Sequence, residues 1–246
     1  MIKEKIKPPN PLSQYPKYLW FLTLAFSMTL AMSNWYDSRI IEVFGISVTP
    51  GTLVYSITFL LSNVITEVYG FKSARKAIWM ALLFNVIFLA YGILVLNLPT
   101  PEGLNYNYSF DSFLRMNTRI ITASFISYLI SEPINSFLIA KFKLKTKGKY
   151  LGIRFISSVL ISGVIDSLLF IIIAFYGTLS NAKIISLILH IWAVKTVVEI
   201  MLLPLSINIA KNLKISEQLD IYDSNTTFTM LSLNSDYVTS NNQFKK

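Results

Sequence analysis

Five ionisable side chains lie inside stretches of this chain that are otherwise apolar: Glu67, Glu132, Asp166, Lys195 and Glu199. Two amides accompany them, Asn63 four residues before Glu67 and Asn135 three residues after Glu132. A charge at the centre of a bilayer costs about 2.5 to 3.5 kcal/mol on insertion scales, so each such residue needs a partner, a ligand or a water-filled cavity. Asn63 and Glu67 share one helical face, as do Lys195 and Glu199, because positions four apart face the same way on a helix. Lys195 and Glu199 could neutralise each other within their helix, and Glu67 could pair with Arg75 or Lys76 in the adjacent basic turn. Glu132 and Asp166 have no base within reach on their own helices, so they carry the functional expectation. Pro133 follows Glu132 and frees the carbonyl around Leu129, and Pro204 does the same later. Kinks beside acids suit a ligand cavity near the midplane.

Other chemistries are closed to the chain. It has no cysteine, which excludes disulfides, thiolate metal sites and cysteine nucleophiles, and its single histidine, His190, excludes a histidine metal cluster. No metal or cofactor is expected, and His190 reads as a packing or interface residue. A hydrolase built on Ser162 and His190 would need a glycine two residues before the serine, where Leu160 stands. The expected protein is not an enzyme.

The elements that must position these residues are membrane helices. Of 246 residues, 53% are hydrophobic and 14% charged, against about 25% charged in soluble domains. A hydrocarbon core about 30 Å thick needs roughly 20 apolar residues per helix. Six runs qualify, at Tyr18–Tyr36, Thr52–Tyr69, Ser73–Leu96, Thr118–Ala140, Arg154–Tyr176 and Ile184–Ala210. The expected fold is all-α, a polytopic integral membrane protein with six transmembrane helices. Residues 1–17 form a basic N-terminus, 18–210 the transmembrane domain, and 211–246 a polar, mobile tail.

The net charge of +9 follows topology. Lys3, Lys5, Lys7 and Lys17, then Lys72, Arg75 and Lys76, then Lys141, Lys143, Lys145, Lys147, Lys149 and Arg154 occupy alternate connections. The remaining connections hold few bases, namely Arg39, Arg115, Arg119 and Lys183, together with acids such as Asp37, Glu42, Glu102 and Asp111. Cytoplasmic loops retain Lys and Arg, so both termini are expected in the cytoplasm. The basic excess then faces anionic lipid, and nucleic acid is not an expected partner.

The stretch "TPGTLVYSITFLLSNVITEVYGFKSARKAIW" resembles the queuosine precursor transporter family, also called the vitamin uptake transporter or DUF165 family. In that family an apolar helix ends in Asp-x-x-x-Glu-x-Tyr-Gly before a basic turn. Agreement continues in "RIITASFISYLIS", in "RFISSVLISGVIDSLLFIIIAFYG", and in Lys195 followed by Pro204. Glu67, Asp166 and Lys195 match the pattern. Asn63 stands where the family has Asp, and Glu132 and Asn135 stand where it has Gln and Asp.

The resemblance implies import of a 7-deazaguanine base such as preQ0, preQ1 or queuine across the cell inner membrane. Its substrate-binding residues would come from Asn63, Glu67, Glu132, Asn135, Asp166, Lys195 and Glu199. One carboxylate can accept both the N1–H and the exocyclic amine of a guanine-like edge, and amides can address the O6 and N7 side. The alternative is a substrate-binding subunit energised by a separate ATPase module, since the chain carries no Gly-x-x-x-x-Gly-Lys-Ser/Thr motif of its own.

Overall fold

The computed structural model describes residues 16–99, 101, 105–232 and 234–244. Lys3, Lys5, Lys7 and Glu102 lie outside the described residues. The helices are α1 Leu19–Tyr36, α2 Pro50–Leu96, α3 Asn105–Lys145, α4 Leu151–Phe175 and α5 Asn181–Glu217. Four of them, α2 to α5, are long and apolar enough to cross a membrane.

Within α2, Gly70 leaves the helical region with φ 81 and ψ 170, so two helical stretches meet there at a kink. Side-chain contacts show that the chain reverses there. Near the end of α1, Ser33 Oγ donates to the carbonyl of Gly51 at 3.0 Å, and the neighbouring Asn34 Nδ2 donates to Asn85 Oδ1 at 3.2 Å. An unbroken helix rising 1.5 Å per residue would carry positions 51 and 85 about 51 Å apart. The runs expected at Thr52–Tyr69 and Ser73–Leu96 are therefore two arms of α2 folded back on each other, and a glycine without Cβ permits the reversal.

Two helices outrun their apolar stretches. α3 starts at Asn105, well before Thr118, and α5 continues to Glu217, beyond Ala210. Apolarity marks the lipid-spanning part of a helix, whereas Lys, Leu and Glu sustain α5 beyond it.

A short hairpin departs from the all-α expectation. Strands β1 Ile41–Val43 and β2 Ile46–Val48 pair antiparallel across Phe44 and Gly45, both at positive φ, as a tight two-residue turn requires. The backbone N–H of Ser47 donates to His190 Nδ1 at 3.3 Å, which ties the hairpin to α5. His190 thus serves as an interface residue.

In the C-terminal segment, residues 218–232 and 234–244 pack over the Gly70 reversal and partner its stranded backbone groups. Ile221 N–H donates to the Val68 carbonyl at 3.2 Å, Phe71 N–H to Asp223 Oδ2 at 2.9 Å, and Lys72 N–H to Tyr237 Oη at 2.8 Å. Arg75 donates to the carbonyls of Thr229 and Asn234, and Trp79 Nε1 to that of Met230 at 2.8 Å. A polar tail of low periodicity still folds when a helix break offers it unpaired donors and acceptors.

Candidate functional site

The expected site residues fall into two groups, one midway along the helices and one at the basic end. Midway, Asp166 on α4 is fully partnered. Its Oδ1 accepts from Tyr55 Oη at 3.0 Å and from Ser131 Oγ at 3.1 Å, and its Oδ2 lies 2.5 Å from Lys195 Nζ. The Lys195 ammonium also stands 4.2 Å from the centroid of the Tyr55 ring. Three helices other than its own thus converge on Asp166, with the aromatic face adding a cation–π contact.

This arrangement corrects one expectation. Lys195 does not neutralise Glu199 on its own helix but crosses to Asp166, and Glu199 Oε1 is left buried without a hydrogen bond. An ammonium buried at this depth gains more from a carboxylate already held by two hydroxyl donors than from one along its own helix.

Glu132 on α3 is the unusual member. It is 0% exposed, and neither carboxyl oxygen receives a hydrogen bond of good geometry, although Ser62 and Asn135 flank it. Asn135 Nδ2 donates instead to Asn63 Oδ1 at 2.9 Å, and Asn135 Oδ1 remains unpartnered. Asn63, 1% exposed, faces the interior through this interhelical bond. This middle region therefore presents acceptors that the described residues do not answer.

The second group surrounds Glu67, which is separated from the first. Arg154 grips it with both terminal nitrogens, at 2.6 and 3.1 Å, while Lys214 Nζ stands 2.6 Å away and Lys143 Nζ 3.8 Å away. Arg75 and Lys76 are not its partners, because Arg75 turns to the C-terminal segment. Lys143 Nζ also meets the Glu67 carbonyl at 2.5 Å, Asp220 Oδ1 at 2.6 Å and the Ile221 carbonyl at 2.7 Å. Lys214 shares Asp220 at 2.8 Å. The α3–α4 turn orients Arg154, whose guanidinium donates back to the carbonyls of Lys149 and Gly148. Glu67 thus joins the first arm of α2 to α3, α4 and α5. Buried carboxylate–guanidinium forks of this kind fix geometry well, and removing one partner is costly.

Several participants were not singled out in the sequence. Arg154 and Lys143 appeared only as loop charges, and Lys214 and Asp220 only as part of the 211–246 tail. Tyr55 and Ser131 carried no signal beyond being polar groups in apolar runs. At the end opposite the basic one, Asp37 accepts from Thr49 Oγ1 at 2.5 Å and from Ser33 Oγ at 3.3 Å. Thr49 precedes Pro50, the first residue of α2, and spends its hydroxyl on Asp37 instead of capping the helix. Burial lifts the Asp37 carboxyl to about 6, against the opposing Thr49 bond and the nearby Lys195 charge.

Residues 49–209 match the model of a family described as "Putative vitamin uptake transporter". The chain is 22% identical over 187 residues to a Bacillus subtilis (strain 168) protein named "Probable queuosine precursor transporter", covering 75% of this chain and 80% of the relative. It is 24% identical over 170 residues to the "Queuosine precursor transporter" of Escherichia coli (strain K12), covering 68% of this chain and 74% of that protein. No solved structure matches the chain significantly.

Proposed function

The chain belongs to the vitamin uptake transporter family, and from that premise we propose that it imports queuosine precursors, 7-deazaguanine bases, across the cell inner membrane. The observation that carries this reading is Glu132, a carboxyl group 0% exposed whose two oxygens receive no hydrogen bond of good geometry among the described residues. A buried acid in that condition costs several kcal/mol unless a ligand or proton meets it. The N1–H and exocyclic amine of a guanine-like edge are two adjacent donors spaced for one carboxylate.

In this reading Glu132 and Asn135 contact the base, and Asn63 holds Asn135 in orientation. Asp166 and Lys195 set the shape and charge of the adjoining wall. The two arms of α2 count as separate spans, giving six crossings, and the Lys and Arg distribution puts the basic end and both termini in the cytoplasm. The Glu67 cluster then closes the cytoplasmic side, and the contacts of Asp37 with Ser33 and Thr49 close the other. Release inward requires the Glu67 contacts to loosen, so Glu67 acts in gating and not in recognition.

The test is uptake of a labelled 7-deazaguanine precursor by cells that lack both its synthesis and native import. Expression of the full chain should restore accumulation, and Glu132→Gln should reduce it at least tenfold at equal membrane abundance. No accumulation above cells without the chain, with the protein present in the membrane, would refute the reading.

A further inference from the structure

Of the bases Lys72, Arg75 and Lys76 that follow the Gly70 reversal, two are committed to the C-terminal segment. Lys72 Nζ donates to the Asp236 carbonyl at 2.7 Å, and Arg75 donates to the carbonyls of Thr229 and Asn234. Lys76 is exposed and makes no ion pair or hydrogen bond among the described residues. It stands on a groove of about 440 Å³ between α1 and the second arm of α2.

The groove runs from this basic end toward the middle of the helices. Its second-arm wall extends from Ser73 to Phe84, about 16 Å at 1.5 Å per residue. Trp20, Leu24 and Phe84, each more than half exposed, line its sides. The floor is made of small buried residues, Ser27, Ser73 and Ala77. Hydroxyl donors along it are spent within their own helices: Ser27 Oγ on the Thr23 carbonyl at 3.0 Å, Thr23 Oγ1 on that of Leu19 at 2.8 Å, and Ser73 Oγ on that of Tyr69 at 2.9 Å. A hydrocarbon chain laid there strands no donor, and a negative group at the basic mouth meets Lys76.

We infer that this groove binds an anionic phospholipid of the leaflet at the basic end: its phosphodiester meets the Lys76 ammonium, and one acyl chain lies between α1 and the second arm of α2. A free phosphate would use Lys76 alone and leave the sides at Trp20, Leu24 and Phe84 uncovered. A zwitterionic lipid brings its own cation to the mouth and gains less from Lys76. One lysine near a membrane surface favours an anionic lipid by about fivefold. The bound lipid fastens α1 to the second arm beside the Gly70 reversal. This inference depends on the membrane placement of the helices and not on the identity of the transported molecule.

Site-directed quenching tests it, because a chain without cysteine takes a label at one introduced cysteine. Phe21, whose ring centroid lies 6.0 Å from that of Trp20, stands beside the groove without lining it, and Met201 is exposed on α5. Full-length Phe21→Cys and Met201→Cys proteins, each carrying a bimane fluorophore, are reconstituted in phosphatidylcholine bilayers holding a minority of phosphatidylglycerol. Either the phosphatidylglycerol or an equal amount of phosphatidylcholine carries brominated chains. At position 21 brominated phosphatidylglycerol should quench at least about threefold more effectively than brominated phosphatidylcholine, and at position 201 the two should quench alike. Lys76→Gln, a change at an exposed side chain without a partner in the fold, should bring the two lipids together at position 21. Equal quenching at position 21 with Lys76 present overturns the inference, as does a preference that survives Lys76→Gln or is as large at position 201. Disulfide cross-linking of unlabelled Leu24→Cys between copies, at the same rate with and without phosphatidylglycerol, would place a second copy of the chain in the groove and overturn it as well.

Discussion

Lys195 reaches across from α5 to Asp166 on α4, with Nζ 2.5 Å from Oδ2, and leaves Glu199 on its own helix unpaired. Both partners are buried, so the pair is held by Coulomb attraction and by the Tyr55 and Ser131 hydroxyls that satisfy the other Asp166 oxygen. Removing only one member strands the other charge.

Lys195→Met should therefore destabilise the protein by about 3 to 5 kcal/mol, the range seen when one member of a buried pair is lost. Adding Asp166→Asn to it should recover much of the loss, because no uncompensated charge then remains. Thermal unfolding in detergent checks this, and equal melting temperatures for the single and double variants would contradict it.

Glu67 faces three cations, Arg154, Lys143 and Lys214, and among the described residues Asp220 is the other acid that pairs with them. Glu67→Gln should lower stability by several kcal/mol through repulsion among these cations. Adding Lys143→Met should return part of it by removing one surplus charge. The melting temperatures of the three proteins decide the matter.

At Gly70 an added Cβ would lie 2.4 Å from Tyr237 Oη and 2.7 Å from Ile221 Cγ2, on a backbone with φ 81 that only glycine adopts comfortably. Gly70→Ala should cost about 1 to 3 kcal/mol from backbone strain alone, and the collision should push the C-terminal segment away. Limited proteolysis should then cleave residues 218–244 faster than in the unaltered protein. Ending the chain after Glu217 should reproduce the loss of stability, since Phe71 N–H and Lys72 N–H lose their partners.

Asp37 gives a pH signature. Its folded value of about 6 lies above the ordinary 3.8, so the folded state holds this proton more tightly than the unfolded chain. The stability this contributes is fully present below 3.8 and is lost as pH rises through about 6. Two units correspond to roughly 3 kcal/mol at most. Asp37→Asn should flatten the fall in melting temperature between pH 4 and 7 and leave the protein more stable at neutral pH. An unchanged slope in that variant would show that another group titrates.

The apolar helices and the acids set within them were legible from the sequence, because lipid demands long apolar runs and makes each embedded charge conspicuous. The family was legible for a similar reason, since "TEVYGF" and "GVIDSLLF" keep their order and spacing. Gly70 was visible as a break between two runs, but the reversal there emerged only when Gly51 and Asn85 met neighbouring residues of α1. Partner choice belonged entirely to the tertiary structure. Helical spacing allowed Lys195 to pair with Glu199, and chain proximity allowed Glu67 to pair with Arg75, yet both took partners from other helices. Local spacing shows which groups can meet along one helix, whereas the burial and hydroxyl donors that make one carboxylate the better partner come from helices far apart in sequence. The C-terminal segment shows the same limit: its composition gives no sign that Asp223 accepts from a backbone N–H at a helix break some 150 residues earlier.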